Sequence, residues 1–285
     1  MIEQLGQYRI LDHVGASGVG DVYRARDTRV GRTVTITILS DAIASNAAMR
    51  EDFLRAARAA AAVSHPNIAT TYEVGEDQGQ VFLATEFVAG QPLNTLISGH
   101  PLNPRRAIDL AIQIADGLAD AHVQDVVHRG ITPAAIIVTS KGNAKILDFG
   151  LSAWTGDDAA RAAVAAQPND PRADTFALAA VLFEMLTGKP ARAAAVNGMR
   201  PGELDAILTK ALAKNIDERY ESAATLAAEL RAVTAVLDER AAVSEAAAVQ
   251  VVTRGRGRSS TRWLWLLALA GVLAVAWWLL RSAAF

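Results

Sequence analysis

The sequence predicts an α+β chain in two parts, a small β-rich lobe holding one helix and then a larger helical lobe, with a single transmembrane helix near its C-terminal end. Three patterns carry this prediction. Between residues 8 and 87, apolar and polar residues alternate in the short runs YRILDHV, DVYRARD, TVTITIL and VFLATEF, the period of half-buried strands. Within that span only 47–63 reads as a helix. After Gly90 the period turns helical: 104–122 places Ile108, Ile112, Ala115 and Leu118 on one face, and 175–186, 203–213 and 223–237 follow the same pattern. A short strand pair is expected near 135–138 and 144–147. The third pattern is WLWLLALAGVLAVAWWLL over 263–280, which carries no charge and as a helix would reach roughly 27 Å, close to the apolar thickness of a bilayer.

Trp263 and Trp265 stand at one end of this segment and Trp277 and Trp278 at the other, where indole rings suit the headgroup interface. Arg254, Arg256, Arg258 and Arg262 precede it and Arg281 alone follows, so the positive-inside rule places the long N-terminal part in the cytoplasm. The opening MIEQLGQYRI has no apolar stretch of signal-peptide type. The expectation is a single-pass protein of the cytoplasmic membrane. The Arg/Gly/Ser stretch 253–261 reads as a solvated linker with some attraction to anionic lipid.

Composition excludes several classes. The 285 residues are 51% hydrophobic and 20% charged, with a formal net charge of −2, so no general attraction to nucleic acid follows. With no cysteine there are no disulfides, thiolate metal sites or cysteine nucleophiles. The five histidines, His13, His65, His100, His122 and His128, lack the close spacing of a metal-binding helix.

Five landmarks stand in order: a glycine-rich turn at 15–20, HPNI at 65–68, HRG at 128–130, LDFG at 147–150 and KNIDERY at 214–220. Their order and spacing resemble the bacterial serine/threonine protein kinases of the eukaryotic-like family, over roughly residues 8–237. The resemblance implies a two-lobed kinase-like fold with a nucleotide cleft near 86–90. It divides the chain into an N-lobe (8–88), a C-lobe (89–238), a juxtamembrane linker (239–262), the membrane helix (263–280) and a short extracytoplasmic tail (281–285).

Phosphoryl transfer is accelerated almost entirely by positioning and charge neutralisation, so each working part can be checked against the sequence. Where the family's VAIK-like strand carries the phosphate-binding lysine, this chain reads Val34-Thr35-Ile36-Thr37, with neutral Thr37 at the lysine position. In the following helix Ala56 stands at the position of the lysine's glutamate partner, and no lysine precedes Lys141 to replace the missing one. The HRDLKPAN-like loop reads His128-Arg129-Gly130-Ile131-Thr132-Pro133-Ala134-Ala135. The resemblance therefore puts Gly130 in place of the aspartate base, Thr132 in place of a phosphate-contacting lysine and Ala135 in place of the metal-binding asparagine.

What remains for a nucleotide is Gly15, Gly18 and Gly20 of the turn, with Val22 and Ile137 as apolar walls and Thr35 at the family's alanine. Ser17 occupies the second glycine of the G-x-G-x-x-G pattern. Asp148 of the DFG-like run has two readings: a magnesium ligand, or a turn residue beside a Phe149 that packs under the small-lobe helix. The stretch from Asp148 to Asp174 is short for an activation segment, no APE occurs, and a second deletion is expected between Lys189 and Pro201. Arg219 thereby loses the glutamate it pairs with in the family and is expected in solvent or against another acid. His128, Phe149, Asp174, His65 and Asn67 are expected as packing and anchoring residues.

The leading expectation is a membrane-anchored pseudokinase without the catalytic Lys, Glu, Asp and Asn. It would work as a scaffold or allosteric partner of an active kinase, a phosphopeptide-binding domain or a membrane complex. Such a protein requires no cofactor, although ATP with or without magnesium remains an expected ligand of a second reading, a nucleotide sensor. A third reading is a weakly active kinase with Asp157 or Asp158 as base and an arginine on the phosphates. Ser259, Ser260 and Thr261, beside Arg258 and Arg262, read as a hinge open to phosphorylation.

Overall fold

The structure, a computed structural model, describes residues 2–149, 151, 169–191, 203–255 and 266–273. The chain divides into two units, Met1–Thr234 and Ala235–Phe285. In the first, strands β1 (Gln4–Leu5), β2 (Tyr8–Ala16), β3 (Gly20–Asp27), β4 (Thr33–Leu39), β5 (Thr71–Asp77) and β6 (Gln80–Glu86) form one antiparallel sheet in the order β1-β2-β3-β4-β6-β5. Between β4 and β5 lie a single helical turn, α1 (Asp41–Ala44), and the helix α2 (Ala47–Ala62).

The alternation of TVTITIL decides which face of β4 does what. Val34, Ile36 and Ile38 are buried with Leu5, Tyr8, Ala25, Phe82 and Ala84 on one face of the sheet. Thr35 and Thr37 therefore fall on the other face, directly across from Thr85 and Leu83 of β6, while Val22 of β3 lies across from Thr37. That second face is shared by a cleft and by α2. The helix is capped by Asn46, whose side chain accepts from the Met49 amide at 3.1 Å, and it buries Phe53 and Ala57 against Leu39, Ile43, Val81 and Leu83.

The larger part begins with the short strand β7 (Gly90–Pro92) and helix α3 (Leu93–Ile97). Helix α4 (Pro104–Val123) follows, and then β8 (Ile136–Thr139) and β9 (Ala144–Ile146), which join β7 in a second antiparallel sheet. Helices α5 (Arg172–Thr187), α6 (Glu203–Ala211) and α7 (Ala223–Gly255) complete the described elements. Proline at the first turn and the Asn103 side chain, accepting from the Arg106 amide at 3.3 Å, start α4. Its buried face takes in Ala107, Ala111, Ile114 and Ala121 beyond the sequence stripe, because small side chains let α5 approach closely, while Ile112 of that stripe is only partly buried. Helix α5 stops at Gly188, left-handed at φ 70°, where a Cβ would meet the Gly99 carbonyl oxygen at 2.5 Å.

The HPNI turn ties the two sheets together. The Asn67 side chain donates to the Ala144 carbonyl at 2.7 Å and to Gln113 of α4 at 3.1 Å, while Ile68 bridges Ile146 in parallel. His65 accepts from the Asn67 amide at 3.1 Å, so this pair has the anchoring role expected of it.

Three elements differ from the sequence reading. Strand β5 is a half-buried run without clear alternation, and its Gly75 is needed because a Cβ there would lie 2.5 Å from the Phe82 ring. Ala135 belongs to a 3-10 turn, Pro133–Ala135, rather than to β8. Helix α7 continues to Gly255, through the first part of the expected linker 239–262, since this stretch is rich in alanine and interrupted by neither proline nor glycine before Gly255. Of the apolar segment 263–280, residues 266–273 are helical and carry exposed Leu266, Leu267, Leu269, Val272 and Leu273; its other residues lie outside the described ones. Among the described residues no helix is long and apolar enough to cross a membrane.

Candidate functional site

The concave site lies between the two sheets. Val22, Thr35, Thr37, Leu83 and Thr85 form one wall, Ile137 and Leu147 the other, residues 86–88 one edge and Asp148 an end. The space between them, including its open mouth, is ≈ 730 Å³. The expected apolar walls Val22 and Ile137 and the hydroxyl of Thr35 are thus brought together.

The glycine turn is occupied with itself. The Ser17 amide donates to the Gly20 carbonyl at 2.8 Å, and the Ser17 hydroxyl accepts from the amides of Val19 and Gly20, both at 3.3 Å. Two of the amides that a phosphate could use, those of Val19 and Gly20, are therefore already bonded by the residue standing at the second glycine position. Gly20 has a packing reason of its own, because a Cβ there would lie 1.8 Å from the Ile38 carbonyl oxygen. Gly15 and Gly18 bracket the same turn.

Thr37 is 8% exposed and lines the cleft at the expected lysine position. Ala56 is half-buried on α2. Gly130 donates its amide to His128 Nδ1 at 3.1 Å, and the Ala135 carbonyl accepts from the Leu147 amide at 2.8 Å. Neither Gly130 nor Ala135 has a side chain able to move a proton or hold a metal. Among the described residues lining the cleft there is no lysine, arginine or histidine. Asp157 and Asp158 lie outside the described residues, as do Ser259, Ser260 and Thr261.

The anchoring residues are assembled as the sequence suggests. Asp174 is fully buried at the start of α5, and its carboxylate accepts from the amides of His128 and Arg129, each at 2.7 Å, and lies 2.9 Å from His122 Nε2. These bonds hold Arg129 in the left-handed region, φ 63°, a conformation costing about 1–3 kcal/mol for a non-glycine residue. The Arg129 guanidinium reaches the Asn169 side-chain oxygen at 2.6 Å. His128 donates from Nε2 to the Leu147 carbonyl at 2.9 Å and meets the Phe149 ring edge-on, centroids 5.0 Å apart.

Two expectations are corrected here. Leu151, not Phe149, joins the cluster beneath α2, where it packs with Phe53, Ala57 and Leu83. Arg219 is neither in open solvent nor hydrogen-bonded to an acid: it donates to the Ala213 carbonyl at 2.8 Å and lies over the Phe176 ring at 4.2 Å, with Asp170 near enough to feel its charge.

Asp148 is exposed to the cleft yet set deep among protein atoms, with a left-handed backbone at φ 52°. That enclosure raises its pKa above the ordinary carboxylate value, and His128 acts in the opposite direction. No hydrogen bond reaches its carboxylate from any described residue. The sequence reading overlooked Lys145. From β9 its ammonium reaches Glu86, at the cleft edge, at 2.6 Å, while the Thr70 amide donates to the same carboxylate oxygen at 3.2 Å. A lysine three residues before an LDFG-like aspartate and a glutamate ending a strand gave the only signal in the sequence.

These residues do not fit a magnesium nucleotide. Triphosphate needs a cation, none of the described lining residues is one, and Lys145 beside the cleft edge is committed to Glu86. A magnesium ion needs more than Asp148, and among the described residues no group of three His, Asp or Glu side chains can hold a metal.

Comparison with known proteins agrees with this architecture. Residues 8–238 match the model of the protein kinase domain. The chain is 34% identical to the serine/threonine-protein kinase PknD of Mycobacterium tuberculosis over 259 residues, covering 79% of this chain and 39% of the relative, and 30% identical to PrkC of Bacillus subtilis, covering 79% and 40%. It thus spans about two fifths of the length of these curated relatives. The crystal structure of the Mycobacterium tuberculosis PknI kinase domain superposes with a TM-score of 0.67 at 24% identity, covering 81% of this chain and 98% of that one, a likeness of fold. With the two sheets, the self-bonded glycine turn and the Asp174 anchor in their family order, the chain belongs to the bacterial serine/threonine protein kinase family.

Proposed function

We propose that this chain is a membrane-anchored pseudokinase that acts by binding a protein partner rather than by transferring phosphate. One observation carries the reading: four groups are missing together, at Thr37, Ala56, Gly130 and Ala135, from a fold whose anchoring residues are all in place. Loss of a general base alone costs about 10²–10⁴ in rate, and nothing among the described cleft residues replaces the missing cations. A sequence kept for catalysis would retain the polar groups, whereas one kept for its surface retains the core.

The partner in this reading is an active kinase, a phosphopeptide-binding domain or a membrane complex, and no nucleic acid and no cofactor are required. The anchor is the uncharged segment 263–280 with its flanking arginines, which places the kinase-like part on the cytoplasmic side. The full chain, purified in detergent and incubated with labelled ATP and magnesium, should label neither itself nor added protein above the level of an Asp148→Ala variant. Labelling that this substitution abolishes would overturn the reading. Extraction of the chain from membranes by alkaline carbonate would overturn the anchor separately.

A further inference from the structure

The charge of the cleft is opposite to what a nucleotide needs. Among the described residues its only charged lining ones are Glu86 and Asp148. Glu86 is neutralised by Lys145 at 2.6 Å and further bonded by the Thr70 amide. Asp148 has no hydrogen-bonding partner among the described residues: the ring of its neighbour His128 is engaged with backbone, Nε2 with the Leu147 carbonyl and Nδ1 with the Gly130 amide. Elsewhere the walls are aliphatic (Val22, Leu83, Ile137, Leu147) or hydroxyl-bearing (Thr35, Thr37, Thr85). Two amides of the glycine turn, those of Val19 and Gly20, are bonded by the Ser17 hydroxyl, which reduces the other source of positive potential.

We infer that the cleft is a binding site for a flat ligand whose polar end is a protonated amine, seated against Asp148, and that it discriminates against ligands carrying phosphate there. The two sheets leave a slot that sandwiches a planar ring, the threonine hydroxyls supply neutral hydrogen bonds, and Asp148 supplies a carboxylate that no described residue hydrogen-bonds. An amine gains a charge-assisted hydrogen bond at that end, while a phosphate meets a like charge with no cation to offset it. This concerns the same cleft as the proposed loss of catalysis, but it does not depend on the partner-binding role.

A charge series of constant shape tests it. The full chain in detergent is titrated calorimetrically with 5′-amino-5′-deoxyadenosine, adenosine and AMP at low salt, with and without magnesium. Here adenosine serves only as a flat ring with a substitutable end. The expected order is amine tightest, then adenosine, then AMP, with about tenfold between successive members and a spread that narrows as salt is added. Asp148→Asn should bring the amine to within about twofold of adenosine, and Thr35→Trp, which fills the slot, should weaken all three. AMP binding as tightly as adenosine, magnesium-dependent tightening of AMP, an amine preference that survives Asp148→Asn, or no saturable binding of the amine at millimolar concentration would each overturn the inference. Phosphotransfer by the same preparation is read separately, so failure of the pseudokinase reading is distinguishable from failure of this one.

Discussion

Asp174 is the residue on which the large lobe should depend most. Its carboxylate is fully buried and takes two backbone amides at 2.7 Å and His122 at 2.9 Å. Truncation by Asp174→Ala leaves the amides of His128 and Arg129 without their acceptor, and an unsatisfied buried donor costs about 1–3 kcal/mol. Relaxation of the left-handed Arg129, whose conformation the carboxylate enforces, offsets part of that cost. The expected net loss is about 2–5 kcal/mol, against a total stability of about 5–15 kcal/mol for an ordinary domain. Asp174→Asn keeps the shape but offers one acceptor oxygen and a donor, so it should lose roughly half as much. The assay is urea unfolding of the full chain in detergent, followed by far-ultraviolet circular dichroism. An Asp174→Ala midpoint equivalent to a loss under about 1 kcal/mol would refute the reasoning, since no accounting of buried donors permits it.

Gly20→Ala should lower the same unfolding midpoint by about 2–3 kcal/mol or prevent folding, because its Cβ would lie 1.8 Å from backbone oxygen that only a shift of β4 could move. Asp148 binds its proton more tightly in the folded chain than in the unfolded one, so it penalises folding above its raised pKa and ceases to do so once pH falls below the ordinary carboxylate value near 4. Asp148→Asn should therefore stabilise the protein at pH 7–8, with an advantage that vanishes as pH is lowered through that window; an advantage that grows on acidification would contradict the assignment. A double-mutant cycle on Lys145→Met and Glu86→Gln should give a coupling of about 1 kcal/mol that survives 0.5 M salt better than an exposed pair would, because both side chains are partly buried.

Much of the fold was legible because the periods are clean. TVTITIL reads as a strand with a threonine face, and that face is the one turned to the cleft. The long amphipathic run of α4 likewise fixed a helix to within a residue of its observed ends. Elements set by tertiary contact were less legible. Strand β5 is half-buried along its length and so carries no alternation, and Leu151 gives no hint in sequence that it crosses to the α2 cluster. The candidate site divides in the same way. Absent side chains at Thr37, Ala56, Gly130 and Ala135 are visible in the letters alone. The engagement of Ser17 with its own turn, of Lys145 with Glu86 and of Arg219 with Phe176 depends on which groups the fold brings within reach, and spacing does not encode that.

The claim that binds these observations together is that the fold persists without phosphoryl transfer. Working kinases turn over about 1–100 times per second, and removal of the base alone divides that by about 10²–10⁴. The decisive measurement is the initial rate of phosphate incorporation, by intact-mass spectrometry, into the full chain and into a mixed serine/threonine peptide pool under saturating magnesium ATP. Base loss alone leaves about 10⁻⁴–1 per second, and with the lysine, its glutamate partner and the metal-binding asparagine also missing the account predicts a rate below the bottom of that range, roughly 10⁻⁴ per second, indistinguishable from Asp148→Ala. A rate above that bound, lost on substitution of Asp148, would contradict it.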